Sequence, residues 1–250
     1  PSKLRKVTQT DVYDIASLTK IMATVPLVMQ LVDQGVLSMN TTLSQLLPEY
    51  KGTDKANITL RRMLTHTARL KAWIPYYLKT MDSLTNKPKT KWYTSTYSKD
   101  FPYNVANQMY MKREYKDSIY RFIKESELRE KVAYKYSDLP YYLLMKYLEE
   151  YYGSPLEILV QQNFYETLGA YSMTYKPLHK FHKNSIVPTE EDTYFRMQKV
   201  HGYVHDQGAA MLGGVSGHAG LLSTANDVAK MMQLFLNGGS YGEKQYLSQE

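Results

Sequence analysis

The chain has 250 residues, a formal net charge of +7, and 43% hydrophobic against 22% charged residues. That size and balance suit one large or two small globular domains with a proper core, and exclude a disordered chain. No apolar run approaches the ~18 residues of a membrane-crossing helix, and the lack of cysteine excludes disulfides and thiolate metal sites.

The positive charge suits anionic partners. Lys and Arg are nonetheless spread along the chain without a basic recognition helix, which argues against nucleic acid. Tyrosine is the anomaly, at 24 residues against 6 Phe and 2 Trp. Its broad amphipathic ring suits carbohydrate- or peptide-binding walls as well as half-buried helix faces. Neither an initiator Met nor a signal peptide opens the sequence, and both ends read as cut from a longer protein.

In chain order, residues 1–14 are polar and basic, then extended toward Tyr13-Asp14. A helix is expected from Ser17 to Gln34, closed by Gly35 and kinked at Pro26. Ser17 and Lys20 stand at i and i+3 at its start, so hydroxyl and amine share one face. The unpaired amides and dipole of a first turn favour a developing oxyanion. A serine needs a neighbour to take its proton, and a lysine that is neutral at working pH serves. The plain alternative is a capping serine and a lysine reaching along the helix to solvent.

Thr59 caps an expected helix running to Thr67. Residues 71–118 form a long Tyr-, Thr- and Lys-rich excursion with little periodicity, the mark of a lid or a wall of a site. Helices are then expected over 119–130, over 139–152 ended by Gly153, and over 155–168 capped by Ser154 and closed by Gly169. Residues 171–207 read as loop and 208–220 as Gly-rich. A last helix, capped by Ser223 or Thr224, reaches Leu236. Strand alternation is scarce, so the chain reads as mainly helical. His201, His205 and Asp206, and separately His179 and His182, have ligand-like spacings, but neither set carries the Glu of a His-Glu-x-x-His helix. The reading therefore assigns no metal and no cofactor.

Five blocks together resemble the class C β-lactamase-related serine hydrolases, which include D-alanyl-D-alanine carboxypeptidase-like proteins and esterases. They are Ala16-Ser17-Leu18-Thr19-Lys20, Ile58 to Thr67, Tyr136-Ser137-Asp138 with the following helix, Leu168-Gly169-Ala170, and Gly217 to Ala229. The first is the Ser-x-x-Lys arrangement of penicillin-binding proteins.

The resemblance implies an α+β β-lactamase/transpeptidase-like fold over 1–250, with this chain supplying mostly the helical lobe and much of the antiparallel sheet truncated. The first strands would precede Pro1, and the strand of the third motif would follow Glu250. The 71–118 excursion would stand near the cleft. The resemblance further implies that Ser17 is the acylated nucleophile, Lys20 its proton partner, and Tyr136 the relay to the leaving group. Asp138 and His218 would meet the substrate. Asp138 stands where the family often has Asn, and a carboxylate only accepts where an amide also donates; this leans away from β-lactam turnover, toward an esterase, amidase or peptidase. His218-Ala219-Gly220 imitates the third motif but sits just before a capped helix. The implied partner is a small-molecule or peptidoglycan-like substrate in the periplasm or outside the cell. A catalytically silent domain of the same fold is the alternative, with a metal-dependent hydrolase behind it.

Overall fold

A computed structural model of the protein describes residues 6–249. The strands expected before Pro1 and after Glu250 lie outside it. From the N-terminal side the elements are β1 (Tyr13–Asp14), α1 (Val25–Asp33), α2 (Leu43–Leu46), α3 (Leu60–Leu64), β2 (Tyr93–Thr94), β3 (Tyr103–Ala106), β4 (Met109–Met111) and α4 (Tyr115–Glu125). There follow α5 (Leu139–Tyr152), α6 (Leu156–Val160), β5 (Glu190–Asp192), β6 (Gln198–Val200), α7 (Gln207–Met211), β7 (Leu222–Ser223), α8 (Ala225–Leu236), β8 (Ser240–Tyr241) and β9 (Lys244–Gln245).

The architecture is helices around α5. This helix buries Leu139, Tyr141, Tyr142, Leu143, Leu144, Met145 and Leu148, and it packs against α3, α4, α6 and the turn that precedes α1. Apolar side chains on every side mark a central helix. Gly153 at φ +64° closes it in the left-handed conformation that favours glycine. One continuous core gathers Leu27, Leu31, Leu43, Met63, Leu144, Phe164 and Met231.

The strands are short and antiparallel. β2-β4-β3 form a three-stranded sheet inside the 71–118 excursion, and β5-β6 and β8-β9 are hairpins. The excursion therefore has structure that its sequence hides. Its strands are too short to show alternation, and the β3–β4 turn places Gln108 at φ +50° without a glycine to announce it. β1 pairs with β7, Tyr13 opposite Ser223. That pairing draws the start of the first helix against the Gly-rich segment 213–220, since Ile15 N–H donates to Leu221 O at 3.1 Å and Leu221 N–H to Thr19 Oγ1 at 3.2 Å.

Several helices depart from expectation. The first opens with a π-helical turn, Lys20–Thr24, before α1. Pro26 has no N–H to give the Met22 carbonyl, and the buried Tyr165 hydroxyl donates to it instead at 3.0 Å. The expected kink is thus a widened turn with a substitute donor. The helix behind Thr59 is shorter than 58–67: α3 stops at Leu64, and His66 turns left-handed at φ +57°. The helix expected over 119–130 is shifted, α4 running from Tyr115 to Glu125. In the expected 155–168 helix, Leu156 N–H is capped by Glu149 Oε1 at 3.0 Å, not by Ser154, and the second half widens into a π turn over Gln161–Tyr165. At α8 the cap, expected at Ser223 or Thr224, is Thr224, which accepts from Asp227 N–H.

Candidate active site

Asp14 Oδ1 accepts from Ala16 N–H at 2.8 Å while Ala16 sits at φ +46°, a tight turn that ends β1 and starts the helix. Ser17 follows, and Leu18, Thr19 and Lys20 amides bond back to Ile15, Ala16 and Ser17 carbonyls. One turn later, Lys20 is drawn inward and is only 3% exposed.

Lys20 Nζ has three oxygen partners. Ser17 Oγ lies at 3.0 Å, Asp138 Oδ1 at 2.7 Å and the His218 carbonyl at 3.3 Å. Burying an ammonium is tolerable only with such compensation. The rings of Tyr136 and Tyr141 complete its surroundings, with centroids 4.8 Å and 5.4 Å from Nζ.

Tyr136 is 40% exposed. Its ring faces that of His66 at 4.5 Å, and among the described residues its hydroxyl has no hydrogen bond to Ser17 or Lys20. The segment beneath it is firmly held: Ser137 N–H donates to His66 Nδ1 at 3.2 Å, Ser137 Oγ to Lys71 O at 2.6 Å, and Asp138 N–H to Ala72 O at 2.9 Å. Ser137 Oγ also accepts from Leu139 N–H at 3.2 Å, so the serine caps α5 and leaves the Asp138 carboxylate for Lys20. Burial, then the Lys20 charge, push the His66 pKa below the usual imidazole value, and its Nδ1 accepts as a neutral ring must.

His218, expected at the cleft, has a side chain only 2% exposed. It stacks on Tyr142 at 4.3 Å and is bracketed by Ser216 Oγ at 2.7 Å and Asp206 Oδ1 at 2.8 Å. Toward Lys20 it presents its carbonyl. The Asp206 carboxyl is desolvated, yet the His218 interactions outweigh this and hold its pKa down at about 2. Asp206 also caps α7, accepting from Ala209 N–H at 2.7 Å. Two glycines permit this packing: a Cβ on Gly208 would fall 1.9 Å from the Tyr142 oxygen, and one on Gly217 2.3 Å from the Tyr141 carbonyl. Behind Asp206, the buried Arg196 guanidinium ties Asp192 and Glu190 to the Val204 and His205 carbonyls, all within 2.8 Å. A narrow cleft bordered by Trp73, Tyr77, Asp138 and Gly208 opens beside the site.

The structure thus brings Ser17, Lys20 and Asp138 into contact and sets Tyr136 against them. His66 and Asp14 enter as supporting residues that sequence reasoning passed over, and Asp206, weighed there only beside His201 and His205 as a metal ligand, supports His218 instead. His66 lay in a quoted block, but nothing in its spacing announced a bond to Ser137. Three of the histidines weighed as metal ligands have other partners: His201 Nε2 meets the Lys183 and Ile186 carbonyls at 2.9 and 2.7 Å, His182 Nδ1 accepts from Asn184 N–H at 3.3 Å, and the half-exposed His205 lies 3.4 Å from Glu190.

The β-lactamase family model matches residues 2–250. A Salmonella agona protein named "Putative D-alanyl-D-alanine carboxypeptidase" is 32% identical over 94% of this chain and 53% of its own length. An Escherichia coli protein of the same name is 31% identical over 98% of this chain and 55% of its own. The chain therefore spans about half the length of these curated relatives. Among solved structures, a Yersinia pestis β-lactamase/D-alanine carboxypeptidase complexed with citrate superposes at TM-score 0.60 and 22% identity, covering 94% of this chain and 56% of the other. An octameric penicillin-binding protein homologue from Pyrococcus abyssi gives TM-score 0.64 and 18% identity, over 97% and 48%. These likenesses bear out the β-lactamase/transpeptidase-like fold.

Proposed function

The chain belongs to the β-lactamase family, and from that premise we propose that it carries the nucleophile and proton relay of a serine hydrolase that cleaves an amide, peptide or ester through an acyl-enzyme. The single observation that carries the reading is the buried Lys20 Nζ, 3.0 Å from Ser17 Oγ and 2.7 Å from Asp138. A primary amine at that point takes the hydroxyl proton as Oγ attacks a carbonyl, and Asp138 then balances the ammonium that forms. Two of the three Nζ partners are oxygens fixed on other elements, the His218 carbonyl in a hydrogen bond and the Asp138 carboxylate in an ion-pair contact, which leaves the lone pair of a neutral amine for Ser17. Tyr136, its ring beside Nζ, is the group suited to pass the proton on to the leaving amine or alcohol.

The substrate class is a D-alanyl peptide of peptidoglycan type, in keeping with the names of the curated relatives, and the setting is the periplasm or the cell exterior. An ionised Asp138 cannot donate to a substrate carbonyl, which favours an ester or peptide over efficient β-lactam turnover. One observation favours the silent-domain alternative: Lys20 and Asp138 already form a closed ion pair.

The experiment is covalent labelling of the full-length protein with a fluorophosphonate, followed by peptide mapping by mass spectrometry. The proposal predicts one adduct, on Ser17, absent in Ser17→Ala. An adduct elsewhere, or none, supports the silent domain.

A further inference from the structure

The tyrosine excess is not used up by the serine site. A cavity of about 740 Å³ lies elsewhere: it is lined by Tyr97, Tyr103, Tyr110 and Tyr203 together with Lys116 and Glu149, and by none of Ser17, Lys20, Tyr136 or Asp138. Gly213, Gly214, Val215 and Gly220 form part of its wall, whereas His218 in the same loop turns its carbonyl to Lys20, so this loop stands between the two places. Such a volume holds a ligand of several rings.

The wall has the features of a built site. Gly213 and Gly214 are left-handed at φ +80° and +87°, and a Cβ on Gly213 would press on the Tyr103 ring at 3.3 Å. Lys176 is held in the same unfavourable region at φ +49°, its ammonium paired with Glu157 at 2.8 Å. The buried Asn104 Oδ1 has no hydrogen-bond partner among the described residues, and the Tyr203 hydroxyl lies against the Asn104 side chain. Glu149 uses one oxygen on Leu156 N–H. Burial pushes its pKa up.

The lining chemistry selects the ligand. Lys116 and Lys176 are matched by Glu149 and Glu157, so the cavity has no excess charge with which to hold a phosphate or an organic cation. Aromatic faces interleaved with a carboxyl, an amide oxygen and an ammonium suit a molecule with flat C–H faces and hydroxyls at its edges. We infer that this cavity is a saccharide-binding site, separate from Ser17, in which Tyr97, Tyr103 and Tyr110 stack on sugar rings while Asn104, Glu149 and Lys116 bond their hydroxyl or acetamido groups.

The test is titration calorimetry on the full-length protein with chitotriose, the β-1,4-linked trimer of N-acetylglucosamine, as the probe. Binding is expected at millimolar concentration or tighter and unchanged in Ser17→Ala, which separates this site from the hydrolase reading. Tyr97→Ala removes an exposed ring without touching the core, and Glu149→Gln keeps the acceptor for Leu156; each is expected to weaken binding about tenfold, the loss of one stacked ring or one charged bond. No heat from chitotriose, affinity indifferent to both variants, or loss of binding in Ser17→Ala would overturn the inference.

Discussion

Lys20 Nζ holds Ser17, Asp138 and the His218 carbonyl within 3.3 Å while almost out of contact with water. Ser17 belongs to the lysine's own turn, while Asp138 and the His218 carbonyl come from distant parts of the chain, so the fold as well as the helix positions Lys20. The chain of contacts continues from His218 to Asp206, whose depressed pKa of about 2 links the network to stability. A carboxyl held below its unfolded value of 3.8 stabilises the protein above that value, and the contribution disappears as pH falls through about 2. The shift corresponds to about 2 kcal/mol. Asp206→Asn should therefore lower the unfolding free energy at pH 7 by about 2 kcal/mol, with the gap from wild type closing between the two pKa values. Urea titrations at a series of pH values check this; a gap independent of pH would deny the ionic His218–Asp206 contact.

At the scale of elements, the turn carrying Lys20 depends on a hydroxyl far away in sequence. Tyr165 satisfies the Met22 carbonyl that Pro26 orphans. Tyr165→Phe leaves a buried acceptor unpaired and should cost about 1–3 kcal/mol. The loss should be smaller in a Pro26→Ala background, where an amide can resume the bond, and denaturant unfolding of the double-mutant cycle measures the coupling. The loop that presents the His218 carbonyl is equally constrained. Gly217→Ala sets a methyl against the Tyr141 carbonyl, a backbone atom that cannot turn aside. The loop must then move away from Lys20, at a cost of about 1–3 kcal/mol and with a slower rate of Ser17 labelling. Labelling at the wild-type rate would detach this loop from the site.

On the scale of the whole molecule, what was legible in the sequence followed the strength of local signals. Leu139–Tyr152 could be placed to the residue because an apolar run ends at a glycine that needs positive φ. The Thr224 cap and α8 were legible for similar reasons. The π turns at Lys20–Thr24 and Gln161–Tyr165 were not, since they answer to packing and to Pro26 rather than to periodicity. Nor was the sheet in the excursion, whose strands of two to four residues leave no pattern. Ser17, Lys20 and Asp138 were named from motif and resemblance. Their supports, His66 and Asp206, act through tertiary hydrogen bonds that no spacing reveals.

The central claim is that Lys20 moves the Ser17 proton, and one measurement bears on it most directly: the rate of fluorophosphonate acylation of the full-length Lys20→Arg protein. Arginine keeps a cation for Asp138 but remains protonated at any working pH. With circular dichroism showing an intact fold, the account predicts acylation slower by about 10²–10⁴-fold, the usual share of a general base. Acylation of Ser17 at the wild-type rate would contradict it.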